Sequence, residues 1–411
     1  MRRSIVAVVL GIVLLPQVQA RAIPTPPPTP VPPHGSPSPF PTTLDTPPPA
    51  DTPPDLRAAS AVLVDLDSGE VLFDRAGGRR RPIASTTKVM TALLVVESAT
   101  PFDEVMASDR AVSETGAELG LKEGERILVR ELLYALLLQS ANDAAVALAE
   151  HIGGSVDAFV AMMNQRTRRL GLTDTRFASP NGLDDSGYST ARDLAAITVE
   201  AFRSESFAET VGAKFRTIPA PDGSTRRIQN RNALLWLYPG ALGVKTGYTA
   251  AAGFCLVAAG ERDGLRLGVV VLGSPTEPFS DAAALLNYGF ATYERRRIVT
   301  LGDPLDPVRV SGRLVTLEAG DFLHVLVRRD ESVDLDVRLK RGLVLPLGRG
   351  RPVGEIVATA SGEELGAVPV LVADSVRPVP PAEVPWWRRV WDAITTFLAD
   401  AFGPVVEERS L

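Results

Sequence analysis

The stretch PIASTTKVMTAL, residues 82–93, sets a serine, two threonines and a lysine at the mouth of an apolar helical run. On a helix, positions i and i+3 share a face, so the Lys88 amine can reach the Ser85 hydroxyl. A serine in the first turn also lies beside unpaired backbone N–H groups, at the positive end of the helix dipole. Such groups are useful where an oxyanion develops. The same residues equally describe a capped helix start, since Ser and Thr are common N-caps. Two readings stand together: a cap with a convenient lysine, or a nucleophile with its base.

Upstream of this stretch, AVLVDLDSGEVLFD (61–74) reads as a β-hairpin around Asp67-Ser68-Gly69. Downstream, helical patterns cover 85–98, 130–151, 157–170 and 190–203. In the third, Phe159, Met163, Thr167 and Leu170 share one face and Gly171 supplies the stop. In the fourth, Thr190 and Asp193 suit a capping box. ALGVKTGYTAAAGFCLVAAG (241–260) and LRLGVVVLGS (265–274) read as strands, turning at Arg262-Asp263-Gly264, before a helix over 280–294 with Leu285, Leu286 and Phe290. Helices inserted between strands from both ends of a domain predict an α+β fold, an antiparallel sheet flanked by helices. From about residue 299, alternating runs such as FLHVLV and EIVATA predict a second, small all-β domain. His324 inside FLHVLV reads as a packed or edge histidine.

The ends differ in texture. MRRSIVAVVLGIVLLPQVQA (1–20) has two arginines before an apolar run too short to span a bilayer comfortably, so it reads as a cleaved export signal, with an uncleaved anchor as the rival. Residues 24–54 hold 15 of the 34 prolines and read as a semi-rigid spacer; a proline-motif ligand is the alternative. In WWRRVWDAITTFLADAF (386–402), Trp386, Trp387, Val390, Trp391, Ile394, Phe397, Leu398 and Phe402 fall within an arc of roughly 160°. This is the pattern of a helix lying in a membrane interface, or of one docked on its own protein or a dimer partner.

Composition excludes several chemistries. A net charge of −6 and the lack of a basic, aromatic-laced patch argue against a nucleic-acid partner. The single cysteine, Cys255, cannot form an internal disulfide and lies in an apolar strand without a neighbour to activate it. The three histidines, His34, His151 and His324, are poorly placed for a Ser-His-Asp triad, and a His/Cys metal site is not expected. A serine hydrolase here would need another base, and lysine can serve.

Two further motifs bear on that. Ser140-Ala141-Asn142 interrupts the apolar pattern LLYALLLQSANDAAVALAE, where buried polar groups need partners. Lys245-Thr246-Gly247 sits in a strand-like run that both lysine and glycine disfavour as a central strand. The glycine permits a close backbone approach, and Lys with Thr suits a carboxylate.

The set S-x-x-K, S-x-N and K-T-G, in that order, resembles the penicillin-binding serine peptidases, and the chain is similar to the D-alanyl-D-alanine carboxypeptidases of low molecular mass. The likeness runs through STTKVMTALL, SAND, SPNGLDDSGYSTARDL and VKTGYTAAAGFC. It implies a β-lactamase/transpeptidase-like catalytic domain acting on the D-Ala-D-Ala end of peptidoglycan stem peptides, acylated by β-lactams and using no cofactor. Ser85 would be the nucleophile. Lys88, kept neutral by burial and by Lys245, would be its base, and Ser140 a proton relay. Asn142 would hold substrate and the Lys88 amine, Lys245, Thr246 and Gly247 the substrate strand and its carboxylate, and the Ser85 and Tyr248 N–H groups the oxyanion. Tyr248 stands where many relatives have histidine. The other readings are a β-lactamase, disfavoured because NGLDDSG offers no deacylating Glu and Asn, and a non-catalytic muropeptide-binding wall protein. The implied organisation is a signal peptide (1–20), a Pro-rich linker (21–54), a catalytic domain (55–298), a small β-rich domain (299–378) and an amphipathic membrane-anchoring helix (379–411). It places the protein on the outer face of the bacterial cytoplasmic membrane.

Overall fold

Apolar residues run nearly without interruption along the three central strands of the sheet because both of its faces are covered there. In Ser60–Asp65, Val62 and Val64 enter one core while Ala61 and Leu63 enter the other. The strands Gly253–Arg262 and Leu265–Ser274 divide likewise, Val257 and Val270 to one side, Ala258 and Val269 to the opposite side. The computed structural model describes residues 44, 52–276, 278–378 and 385–402. The expected signal, most of the linker, and 379–384 and 403–411 of the C-terminal segment lie outside the described residues.

The sheet has five strands in the order Val71–Arg75, Ser60–Asp65, Leu265–Ser274, Gly253–Arg262, Ala241–Thr249, every pairing antiparallel. The N-terminal hairpin thus joins three strands from beyond residue 240, and the helices of one face lie between them in sequence while Phe279–Thr292 follows the last strand. Helix Lys88–Ser98 is buried on all sides from Lys88 to Val95, so its sequence is apolar all round. Helices Asn142–Gly153 and Ala191–Ala201 pack in the same core, and Phe279–Thr292 covers the other face with Leu285, Leu286 and Phe290. The α+β architecture is the expected one.

Helix Val156–Arg169 ends at Gly171 with φ +74°, with Phe159, Met163 and Thr167 buried. Thr190 caps Ala191–Ala201 by accepting from Asp193 N, but the Asp193 carboxylate accepts from Thr175 Oγ1 instead of reaching back, so only half a capping box forms. The helix expected over 130–151 is not continuous. Val129–Tyr134 passes into a π-helical turn, Ala135–Gln139, and Ser140 takes a left-handed φ of +66° before Asn142–Gly153 begins. Cys255 is buried, its thiol pushed up to about 11 by desolvation, which suits a structural role.

Beyond helix Phe279–Thr292 the chain enters strand Tyr293–Val299, paired with Leu323–Arg328. The expected boundary after residue 298 falls inside this strand. A second five-stranded antiparallel sheet follows, ordered Pro304–Val310, Arg313–Ala319, Glu363–Val372, Pro352–Ala360, Asp334–Leu339, around Val315, Leu317, Ile356 and Val370. His324 is exposed on its strand, an edge position. Helix Trp386–Phe402 is exposed along its whole length, with Trp386 at 77% and Phe397 at 69%, so no described residue covers its apolar face. Among the described residues, no single helix is long and apolar enough to cross a membrane.

Candidate active site

Ser85 does not cap a helix. It lies in a 3₁₀ turn, Ala84–Thr87, and Lys88 opens the α-helix that follows. Side chains three apart eclipse in a 3₁₀ turn, which stacks the lysine directly over the serine. Lys88 Nζ donates to Ser85 Oγ at 3.0 Å. Ala84, just before the serine, has φ +46°, a strained value for a residue with a Cβ and a mark of a turn shaped by its surroundings.

Lys88 has no exposed surface. Besides Ser85, its amine donates to Asn142 Oδ1 at 2.8 Å and to the Asn181 backbone carbonyl at 2.7 Å. Asn142 is oriented in turn by Nδ2 donating to Thr115 O at 2.7 Å. Burial pushes Lys88 down to about 7, with the Arg231 guanidinium acting in the same direction and Glu114 and Asp143 opposing. The expected cation was Lys245; the structure puts Arg231 in that part. The repulsion between the two lysines falls instead on Lys245, which burial, Lys88 and Arg231 together hold well below an ordinary lysine. Arg231 is itself pushed down to about 10 by burial.

The motif strand forms one wall. Ala241–Thr249 is an edge strand, consistent with the lysine and glycine in it. A Cβ on Gly247 would sit 3.0 Å from both Ser85 N and Thr86 N, so glycine lets the strand lie against the turn that carries Ser85. Lys245 Nζ donates to Thr246 O at 2.7 Å. Tyr248 is 45% exposed at the mouth, its ring 4.6 Å from that of Phe254. Ser140 is buried at the helix break, in a left-handed conformation.

Asn181 and Arg231 were not singled out in the sequence. Asn181 lies in the SPNGLDDSGYSTARDL segment, and Arg231 lies in NRN, between two buried asparagines. No spacing rule connects either to Ser85.

The neutral form of Lys88 has one lone pair and two N–H bonds. The Asn142 and Asn181 oxygens only accept, so they retain the two N–H groups and leave the lone pair facing the Ser85 hydroxyl. A serine with an aligned, depressed-pKa amine and no histidine is suited to acyl transfer. Residues 48–276 match the family described as D-alanyl-D-alanine carboxypeptidase, Peptidase_S11. The chain belongs to this family. It is a serine-type D-alanyl-D-alanine carboxypeptidase, a hydrolase.

Among relatives, D-alanyl-D-alanine carboxypeptidase DacF of Bacillus subtilis is 32% identical over 335 residues, 78% of this chain and 86% of its own length. DacB2 of Mycobacterium tuberculosis is 41% identical over 250 residues, 58% of this chain and 84% of its own. The structure of penicillin binding protein 5 from Haemophilus influenzae matches with a TM-score of 0.63 at 30% identity, covering 80% of this chain and 99% of that one. That match extends the likeness of this carboxypeptidase well past residue 276.

Proposed function

We propose that Ser85 is the nucleophile and Lys88 the general base of this carboxypeptidase, acting on the terminal D-Ala-D-Ala of peptidoglycan stem peptides. The observation that carries the assignment is the 3.0 Å contact from a fully buried Lys88 amine, depressed to about 7, to the Ser85 hydroxyl. As the Ser85 Oγ–C bond forms, the hydroxyl proton passes to Lys88 Nζ. Collapse of the tetrahedral intermediate expels D-alanine, whose nitrogen takes a proton returned from Lys88, with Ser140 as the relay. Water then cleaves the acyl-enzyme. Lys245 and Thr246 take the terminal carboxylate, Asn142 the peptide backbone, and the N–H groups of Ser85 and Tyr248 the oxyanion. The close seating of Gly247 against Ser85 supports that last role. Losing one such donor costs about 3 kcal/mol of barrier.

A penicillin mimics the D-Ala-D-Ala end and acylates the same serine. Intact-mass spectrometry after penicillin should show a single adduct that is lost in Ser85→Ala; an adduct that survives the substitution removes Ser85 from its role. D-Alanine release from a pentapeptide separates this reading from a binding protein without turnover, and slow loss of the adduct separates it from a β-lactamase.

We further propose that residues 1–20 direct export, that 21–54 are a Pro-rich spacer between that signal and the 55–298 catalytic domain, that 299–378 form a second domain, and that the segment 379–411 lies in the outer face of the cytoplasmic membrane. The uncovered tryptophan-rich face of Trp386–Phe402 supports the anchor.

A further inference from the structure

Glu114 lies half-buried in the loop between helix Asp109–Val112 and strand Arg126–Leu128, and its carboxylate accepts from Asn181 Nδ2 at 3.0 Å. Asn181 is buried, and its backbone carbonyl accepts from Lys88 Nζ at 2.7 Å and from Ser85 Oγ at 3.4 Å. One residue therefore ties the Glu114 loop to both the serine and the lysine. The rest of its loop is held elsewhere: Thr249 Oγ1 donates to Asp185 at 3.2 Å, and Gly182, at φ +81°, packs so tightly that a Cβ would overlap the Ala84 carbonyl oxygen. At Asn181 itself, the only other side-chain bond among the described residues is local, Leu183 N to Oδ1 at 3.1 Å.

We propose that Glu114 is a positioning residue for the Ser85–Lys88 pair, acting through Asn181. This rests on the reading of Ser85 and Lys88 as nucleophile and base. The neutral Lys88 amine keeps its lone pair on Ser85 only while both N–H acceptors stay in place, and the Asn181 carbonyl is one of the two. Glu114 anchors that carbonyl's residue from the loop before strand Arg126–Leu128. Its charge also reaches the amine. The charged groups facing Lys88 are Arg231 and Lys245 on one side of the balance and Glu114 and Asp143 on the other, and Glu114 favours the protonated form. Removing that charge moves the ascending limb of the acylation profile to lower pH. Removing the hydrogen bond lowers its plateau.

The test is the rate of penicillin acylation, followed by intact mass against time across pH, in the full chain. Glu114→Ala loses bond and charge, so its plateau should fall about 10-fold or more with the midpoint moved to lower pH. Glu114→Gln keeps an acceptor for Asn181 Nδ2, so its plateau should stay within about 3-fold of the parent while its midpoint moves the same way. A parental plateau and midpoint in Glu114→Ala overturn the proposal, as does Glu114→Gln losing as much plateau as Glu114→Ala. Thermal melts run alongside. If Glu114→Ala does not fold, an unmoved midpoint in Glu114→Gln is the overturning result. A Lys88→Ala protein that keeps the parental profile would instead overturn the base assignment beneath it.

Discussion

Lys88 is where sequence and site meet most closely. A lysine that must accept a proton is useful only when neutral, and burial without a carboxylate partner depresses it to about 7. Acylation should therefore rise with pH through about 7 and level off above it, well below the 10.4 or so of a free lysine. Arg231→Gln removes the cation that pushes Lys88 down, so the midpoint should move to higher pH. Below both midpoints, each unit of that movement costs about tenfold in neutral amine. A stopped-flow pH profile of the two proteins reads the difference directly. The pairing of Ser85 with Lys88 was legible from their spacing of three. The identity of the cation was not, because Coulombic influence follows depth and distance, and Arg231 is 143 positions from Lys88 in the chain.

At the scale of elements, two backbone arrangements hold the site. Strand Ala241–Thr249 presses on the Ser85 turn through Gly247, where a Cβ would meet Ser85 N and Thr86 N at 3.0 Å. Gly247→Ala should keep the fold, judged by circular dichroism, while lowering penicillin acylation about 10- to 100-fold, since small displacements of reacting groups are costly. Asp143, beside Asn142, accepts from the backbone N–H groups of Leu119, Gly120 and Leu121. It thereby anchors the loop whose Thr115 carbonyl orients Asn142. Asp143→Ala leaves those donors without an acceptor and should cost about 2–3 kcal/mol in a urea denaturation midpoint, with Asp143→Asn losing less. The interruption at SAN was visible as polar residues in an apolar run. Its form, a π turn and a left-handed Ser140, was not, because apolar periodicity has the same appearance on either side of a one-residue offset.

Across the whole molecule, the second β unit is tied to the catalytic sheet by a buried ion pair. Arg295, on strand Tyr293–Val299, donates to both oxygens of Asp65 at 2.9 and 2.8 Å, and Asp65 has no exposed surface. Arg295→Ala removes the cation from that carboxylate, which keeps the Ser68 N–H and hydroxyl at 3.1 and 2.8 Å, and should destabilise the protein by about 2–3 kcal/mol, seen as a lowered thermal midpoint. Deletion of 379–411 tests a different junction: membrane binding should be lost while D-alanine release persists, and a deleted protein that still sediments with membranes excludes the helix as anchor. The amino-acid sequence by itself determined most of the strands and helices, the change of texture near residue 299, and the spacing that brings the Ser85 and Lys88 side chains together, because these depend on local pattern and on spacings of a few residues. Only the tertiary structure decided what surrounds that pair. The Asn181 carbonyl, the Arg231 charge and the Glu114 tie come from three separate loops, and burial, which lowers Lys88 to about 7, is a property of the assembled core. The stretch PIASTTKVMTAL carries the Ser85–Lys88 pair; the loops folded around it set the contacts and the burial of that pair.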